Sequence, residues 1–341
     1  MKSQGMEPIF IIGTERSGTN LLRLILNSHP GIAIPHPPHI MKNFSGLEPL
    51  YGDLNTDPRF RRLIRDVVTM VELHPYPWEV KLDRERIFRQ AAERNLINVF
   101  FAIYDQYLQS ARKKRWGCKS TFMIYHMDSI LRYYPRAKFL YMVRDGRDVA
   151  ASAKKSIFNR YCVYYTARLW KKEQRIGISW MSKLPDDRIH LVKYESLLND
   201  PKGTVESLCG FLDEPFEAAM LDFSATQEAK KSASISASWK NTSKPILKDN
   251  AGKYKHELTG REIGLFEAIA GPELEHFSYP LTKPLNGGGG RVPGFKTGYL
   301  LEEALLMLKA QSRHLLTDKN SFLRFRKYWF LKMVRIARMI K

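Results

Sequence analysis

The run from Pro8 to Asn20, Pro-Ile-Phe-Ile-Ile-Gly-Thr-Glu-Arg-Ser-Gly-Thr-Asn, constrains this chain more than any other feature. Ile9 to Ile12 are all β-branched or aromatic and are stopped by Gly13, which reads as a buried parallel strand. Leu21, Leu22, Leu24, Ile25 and Leu26 give the apolar density of a packed helix that ends over Asn27 to Pro30. Gly13 and Gly18 bracket the loop between them with the G-x-x-x-x-G spacing of a phosphate cradle, in which backbone N–H groups and the helix N-terminus hold an anion.

A nucleotide triphosphatase would need more than the cradle. The phosphate-binding lysine position is Thr19 here and the magnesium-holding hydroxyl position is Asn20, so the groups that manage a triphosphate and its metal are missing. A small-molecule kinase is therefore the weaker of two readings within this fold. A non-enzymatic membrane or nucleic-acid adaptor built on the basic tail is the rival from another class.

Further along, strands are expected at Trp116–Ser120, Lys138–Val143 and Ile189–Val192. Helices are expected near Phe60–Leu73, over Arg84–Arg112, near Tyr125–Tyr133, over Asp148–Ser156 and over Pro201–Leu212, the last with Pro at its first turn. Strands alternating with helices predict an α/β fold of three layers around a central parallel sheet, with ligands at the carboxyl ends of the strands. The 341 residues suit one such domain with appendages. We place the catalytic domain at 1–283, a linker at 284–298 around the glycine run Gly287 to Gly290, and a basic amphipathic helical tail at 299–341.

Charge bears on partners. The formal net charge is +20, and Lys309 to Lys341 holds ten Lys or Arg against one acid, Asp318. Such a balance implies an anionic partner without choosing among nucleotide, sulfated substrate, nucleic acid and lipid. Within the tail Phe322, Trp329, Met333, Ile336 and Ile340 share one helical face, while Arg324, Lys327, Arg335 and Arg338 share the other. That pattern suits a helix lying on anionic lipid, or one docked on the catalytic domain or a second subunit. Cys118, Cys162 and Cys209 have no paired spacing, and Met1 to Pro8 is short and polar, so we expect a cytoplasmic protein with peripheral membrane contact at most. His74, His126, His190, His256, His276 and His314 stand at no metal-ligand spacing, and no metal is expected.

A second motif, Val143-Arg144-Asp145-Gly146-Arg147-Asp148-Val149-Ala150-Ala151-Ser152, also follows a strand and opens a helix. Taken with Arg16-Ser17-Gly18-Thr19-Asn20, it resembles the nucleotide-binding motifs of sulfotransferases that use 3′-phosphoadenosine 5′-phosphosulfate (PAPS). The likeness is nearer to the glycan and tyrosylprotein types than to the small-phenol type, and it extends from Pro8 to about Pro280. It implies that Arg16, Ser17, Gly18, Thr19 and Asn20 hold the 5′-phosphate, and that Arg144 and Ser152 hold the 3′-phosphate. Asp145 and Asp148 are expected to lock Arg147 or cap the helix, and Trp170 and Trp239 to pack.

Three further segments extend the resemblance. Trp116-Gly117-Cys118-Lys119-Ser120 makes Lys119 a candidate for stabilising the leaving group. The segment Lys193 to Leu198 implies Tyr194 near the adenine, and Ser243-Lys244-Pro245 before Gly252-Lys253-Tyr254-Lys255 puts Lys244 near the nucleotide. The expected reaction moves a sulfuryl group to a hydroxyl, with an amine as second choice, and releases adenosine 3′,5′-bisphosphate. A glycan, a glycolipid, a small molecule and a peptide all stay open as acceptor; no nucleic-acid partner is expected.

The family usually takes its base from a glutamate in the segment after the first helix. Counting from His29, that position is Pro37. His36 and His39 flank it, and an imidazole can serve as base near neutral pH. We expect His36, the nearer in register, before His39, with Glu15 as the alternative inside the phosphate loop.

Overall fold

The computed structural model describes residues 6–156, 160–235, 241–282, 296–317 and 320–340. Five strands, β1 (Ile9–Gly13), β2 (Ile32–Ala33), β3 (Arg115–Lys119), β4 (Lys138–Val143) and β5 (Ile189–Lys193), form one sheet in the order β2-β3-β1-β4-β5. Every pairing is parallel. The alternation of side chains along β1 explains why helices cover both faces. Phe10 and Ile12 enter one core with Trp116, Phe139 and Tyr141, while Ile9 and Ile11 enter the other with Leu140, Met142 and Val192. The second core is closed by Leu22, Ile25 and Leu26 of the helix Thr19–Asn27 and by Val205, Leu208 and Leu212 of the helix Pro201–Leu212. The first is closed by the helices Asp57–Glu72 and Leu96–Ala111, and by Trp170 and Phe266 from Val163–Lys183 and Gly260–His276.

Topology locates the site. From β1 the chain fills one side of the sheet with β2 and β3, then crosses to lay β4 and β5 on the other. The connections leaving the adjacent strands β1 and β4 thus run in opposite directions, and a crevice opens at their carboxyl ends.

Several expected elements differ in detail. The single helix expected over Arg84–Arg112 is two, Arg84–Gln90 and Leu96–Ala111, because the Asn95 side chain accepts from the Asn98 N–H at 3.0 Å and starts a new helix. The helix expected over Asp148–Ser156 runs instead over Gly146–Ala153, since the Asp145 carboxylate caps it two residues earlier, accepting from the Arg147 N–H at 2.9 Å. The short strand β2 and the long helix Val163–Lys183 were not foreseen. Trp239, the glycine run and the boundary near Lys283 lie outside the described residues.

The tail forms two helices, Lys296–Thr317 and Ser321–Met339, so helix begins inside the span read as linker. Both dock on the rest of the chain. Tyr299 stacks on Tyr164 with ring centroids 4.3 Å apart, and Glu303 accepts from the backbone N–H groups of Tyr161 and Cys162 at 2.9 and 2.7 Å. The second helix places Arg338 on Asp66 at 2.9 Å and Val334 in the core.

Candidate active site

Every motif singled out in the sequence reaches one cavity of about 750 Å³ at the carboxyl ends of β1, β3, β4 and β5. The phosphate loop follows β1. Its two glycines are required by packing as well as by backbone. A Cβ on Gly13 (φ 137°) would lie 2.2 Å from the Met142 carbonyl oxygen, and one on Gly18 (φ 92°) would lie 2.3 Å from the Tyr194 ring. Arg16 between them takes φ 75°, a conformation found mostly where function over-determines the backbone.

Side chains of the two phosphate motifs touch. Arg16 Nε donates to Ser152 Oγ at 3.0 Å, and Arg144 Nη1 donates to the Arg16 carbonyl at 3.2 Å. Arg144 Nη2 is fixed by the Asn250 carbonyl at 2.7 Å and by Asp148 at 3.4 Å, while its guanidinium lies over the Tyr194 ring at 4.5 Å. Arg144 Nε is a buried donor with no protein acceptor among the described residues, which leaves one arm of the fork for a ligand anion. Tyr194 is positioned in turn by Asn250, whose Nδ2 donates to its hydroxyl at 2.6 Å.

Asp148 does not lock Arg147 as expected. Its carboxylate accepts from the N–H groups of Gly252 and Tyr254 at 2.7 and 2.8 Å and so pins the segment around Asn250 to Arg144. Arg147 is held by Asp145 at 2.7 Å and Glu267 at 2.6 Å, wholly inside the protein. Trp170 does more than pack, since its indole N–H donates to the Arg144 carbonyl at 3.2 Å.

Asn20 lines the cavity, yet both ends of its amide are taken by protein. Nδ2 donates to Ser232 at 3.1 Å and Oδ1 accepts from Arg23 at 2.9 Å. Ser17 is fully buried beneath the loop and does not line the cavity, whereas Thr19 does. Lys244 lines it from an exposed position.

Lys119 ends β3 and faces the same cavity. Burial, followed by the field of Arg23, brings its ammonium down to about 7, with Glu15 opposing. Glu15 itself accepts from Lys42 at 2.5 Å. Burial, followed by Arg144, lowers Arg16 to about 10. A wall lined by Arg16, Arg144 and Lys119 can hold an anion, which would favour their charged forms.

His36 and His39 both line the cavity. The His36 ring stacks on Tyr76 at 4.8 Å and lies 5.3 Å from His74, which also lines the cavity. His39 starts a short helix with φ 60°, and its Nδ1 is 3.5 Å from Ser120 Oγ, the residue after Lys119. Burial pushes both imidazoles well below their ordinary value; the next cause is His74 for His36 and Lys119 for His39. Both are neutral at pH 7, and the same burial weakens each as a base.

Sequence reasoning missed the frame behind these groups. Arg23 donates to Glu228 at 2.5 Å, and the other oxygen of Glu228 accepts from the Tyr76 hydroxyl, so the phosphate-loop helix, the histidine segment and the helix Gln227–Ile235 are tied together. The available signal was an arginine among five buried-type apolar residues of the first helix. Tail residues were missed as well, since Arg324, Lys327, Tyr328 and Leu331 form part of the cavity wall. Among the described residues no group of three or more His, Cys, Asp or Glu is placed to hold a metal ion.

Comparison with known proteins agrees with this geometry. Residues 8–218 match the model described as "Sulfotransferase family", and residues 177–278 match that described as "Sulfotransferase domain". The chain is 26% identical over 286 residues to an uncharacterized protein of Aquifex aeolicus (strain VF5), covering 79% of this chain but only 34% of that one, about a third of its length. It is 23% identical over 296 residues to Protein-tyrosine sulfotransferase 2 of Gallus gallus, covering 84% and 73%. Among solved structures, the sulfotransferase domain of the Synechococcus PCC 7002 olefin synthase aligns with TM-score 0.55 and 21% identity over 82% of this chain and 98% of that one. The sulfotransferase domain from the curacin biosynthetic pathway aligns with TM-score 0.54 and 18% identity, over 81% and 99%. The structural likeness establishes the fold. The family model spans well over half the chain and both phosphate motifs, and the chain belongs to the sulfotransferase family.

Proposed function

We propose that this enzyme transfers a sulfuryl group from PAPS to an acceptor hydroxyl. The observation that carries the reading is the contact of Arg16, Ser152 and Arg144 at the carboxyl ends of β1 and β4, with Lys119 facing them from β3. Two anion-binding groups from separate motifs, joined to a lysine, suit a nucleotide with phosphates at both ends of its ribose and a group to be transferred beyond one of them.

When bound, PAPS would supply the sulfuryl group and a phosphate leaving group. Arg16 and the loop amides hold the 5′ end, while Arg144 and Ser152 hold the 3′-phosphate. Tyr194, braced by Asn250 and Arg144, offers its ring face to the base. Lys119 meets negative charge as it builds on the 5′-phosphate oxygen, and burial strengthens that attraction. In the transfer the acceptor oxygen forms a bond to sulfur, the bond from sulfur to the 5′-phosphate oxygen breaks, and the acceptor proton passes to a base.

We assign that base to His39 rather than His36. Its Nδ1 is 3.5 Å from Ser120 Oγ, the residue after Lys119, whereas His36 is stacked on Tyr76 and lies beside His74. A protein tyrosine is one acceptor to try, given the name of the Gallus gallus relative. The test is incubation with labelled PAPS in EDTA and a panel of glycan, lipid, peptide and phenol acceptors, with products resolved by mass. Transfer to one class in EDTA supports the reading. ATP-dependent phosphorylation that EDTA abolishes would replace it with the kinase reading.

A further inference from the structure

The second tail helix faces the opposite way from an ordinary amphipathic helix. Three of the four cations of its expected charged face are turned inward: Arg324 donates to the Ile235 carbonyl at 2.8 Å, Lys327 to the Pro38 carbonyl at 3.2 Å and Arg338 to Asp66 at 2.9 Å, while Arg335 is exposed. Its apolar stripe is turned outward. Phe322, Phe325, Trp329, Met333, Ile336 and Ile340 recur at helical spacing and are exposed, Phe322 by 71% and Ile340 by 79%. The first tail helix repeats the arrangement, with Tyr299, Glu303 and Ala310 buried and Leu300, Leu301, Leu305 and Leu308 exposed. Apolar rows of this extent are uncommon on a soluble surface without a partner.

Two observations identify the occupant. Exposed Arg326 and Lys332 border the apolar stripe on either side. A second copy of this chain would bring the same cationic borders together, whereas anionic lipid would neutralise them while accepting the aromatic rings. The stripe is also continuous with the cavity. Tyr328 lines the cavity and is 60% exposed, Trp329 lies 6.3 Å from it, and Phe325 lies 5.7 Å from Trp329. Among the described residues no helix is long and apolar enough to cross a membrane, so contact of this kind would be interfacial.

We infer that the C-terminal helix pair seats this protein on an anionic lipid surface, with Tyr328 at the mouth of the cavity meeting the headgroup layer. The docking stands apart from the proposed chemistry; only the description of the cavity as an active site rests on that reading. Membrane insertion of the aromatic stripe would leave the phosphate loop and Arg144 on the far side of the helix, free to take a soluble nucleotide.

The experiment floats the full-length protein with phosphatidylcholine vesicles with and without roughly 30 mol% phosphatidylglycerol, adequate to give a negative surface potential. Binding is expected with the anionic vesicles. The Phe325→Ser/Trp329→Ser and Arg326→Glu/Lys332→Glu variants should each lower the partition at least about tenfold. A bimane label on Tyr328→Cys should be quenched by doxyl-labelled lipid, and the three native cysteines are buried from the reagent. Lack of vesicle binding, or binding that neither double variant weakens, overturns the inference. So does a dimer that either double variant splits. Quenching of a label at Phe325→Cys without quenching at Tyr328→Cys would refute the placement of the cavity mouth. Calorimetry with adenosine 3′,5′-bisphosphate separates the two claims: nucleotide affinity should be equal in wild type and both double variants. Vesicle binding without any nucleotide affinity would sink the proposed function and leave the docking intact.

Discussion

Removing Arg144 takes away the 3′-phosphate contact together with the donors of the Arg16 and Asn250 carbonyls, a loss that falls on every nucleotide alike. Asp148 keeps the N–H groups of Gly252 and Tyr254, so Arg144→Ala strands no buried carboxylate. The segment through Asn250 keeps its bond to Tyr194. What is lost is a buried guanidinium with one arm, Nε, uncommitted among the described residues, together with its cation–π contact to Tyr194. A charge-assisted hydrogen bond to phosphate is worth about 1.5–3 kcal/mol, which is roughly tenfold to a hundredfold in affinity. The buried cation–π contact is worth about 2 kcal/mol and acts on the ring under the base, so its loss weakens all adenine nucleotides alike. Adenosine 3′,5′-bisphosphate should therefore lose roughly tenfold to a hundredfold more affinity than AMP by calorimetry. Arg144→Lys, which keeps the charge and gives up the fork, should fall between. Equal losses for the two ligands would refute the 3′-phosphate assignment and reduce Arg144 to a brace for Tyr194.

Nucleotide binding should take up protons above pH 7: burial brings free Lys119 to about 7, a bound phosphate favours the ammonium, and affinity falls as pH rises through the window between the free and bound values. Calorimetry near pH 8 in buffers of different ionisation enthalpy reads the uptake, and its persistence in Lys119→Met would assign it to Lys327, which burial also lowers to about 7. For the base, His39→Ala should lower kcat by about 10²–10⁴-fold with nucleotide affinity nearly unchanged, and His36→Ala should cost less. Near-wild-type turnover in both variants would reject an imidazole base from this segment. Because burial lowers both histidines, the acid limb of kcat should lie below the ordinary imidazole value, and a limb at that value would count against either ring.

The features legible in the sequence are those whose chemistry is contiguous. Gly13 and Gly18 announce their loop because one local conformation needs both, and Arg144 announces its site because a strand end, an arginine and a helix start fall within a few residues. Asp148 was misread for the complementary reason. Its partners Gly252 and Tyr254 lie more than a hundred positions away, and nothing in the local pattern separates a helix-capping carboxylate from one that ties down a distant loop. Arg23 is a similar case: its place in an apolar run marks it as buried, but only the tertiary fold supplies Glu228. Register counting favoured His36, and our proposal of His39 rests instead on its place beside Ser120 while His36 stacks on Tyr76, neighbours that distance along the chain does not reveal.

The tail tests the pattern rule most severely. Periodicity separates the stripe of Phe322, Trp329, Met333, Ile336 and Ile340 from Arg324, Lys327 and Arg338, whereas Arg335, expected with the latter, is exposed; the general rule would bury the apolar stripe. Here the inner face instead combines donors to the carbonyls of Ile235 and Pro38 and to Asp66 with Val334, Phe330 and Leu331 packed against the core. Lys327 is buried by this docking and driven toward neutrality, a cost its hydrogen bond to Pro38 only partly offsets. Turning Lys327 into this wall while leaving Phe322, Phe325, Tyr328 and Trp329 exposed fits the lipid surface we infer as the partner of the outer face.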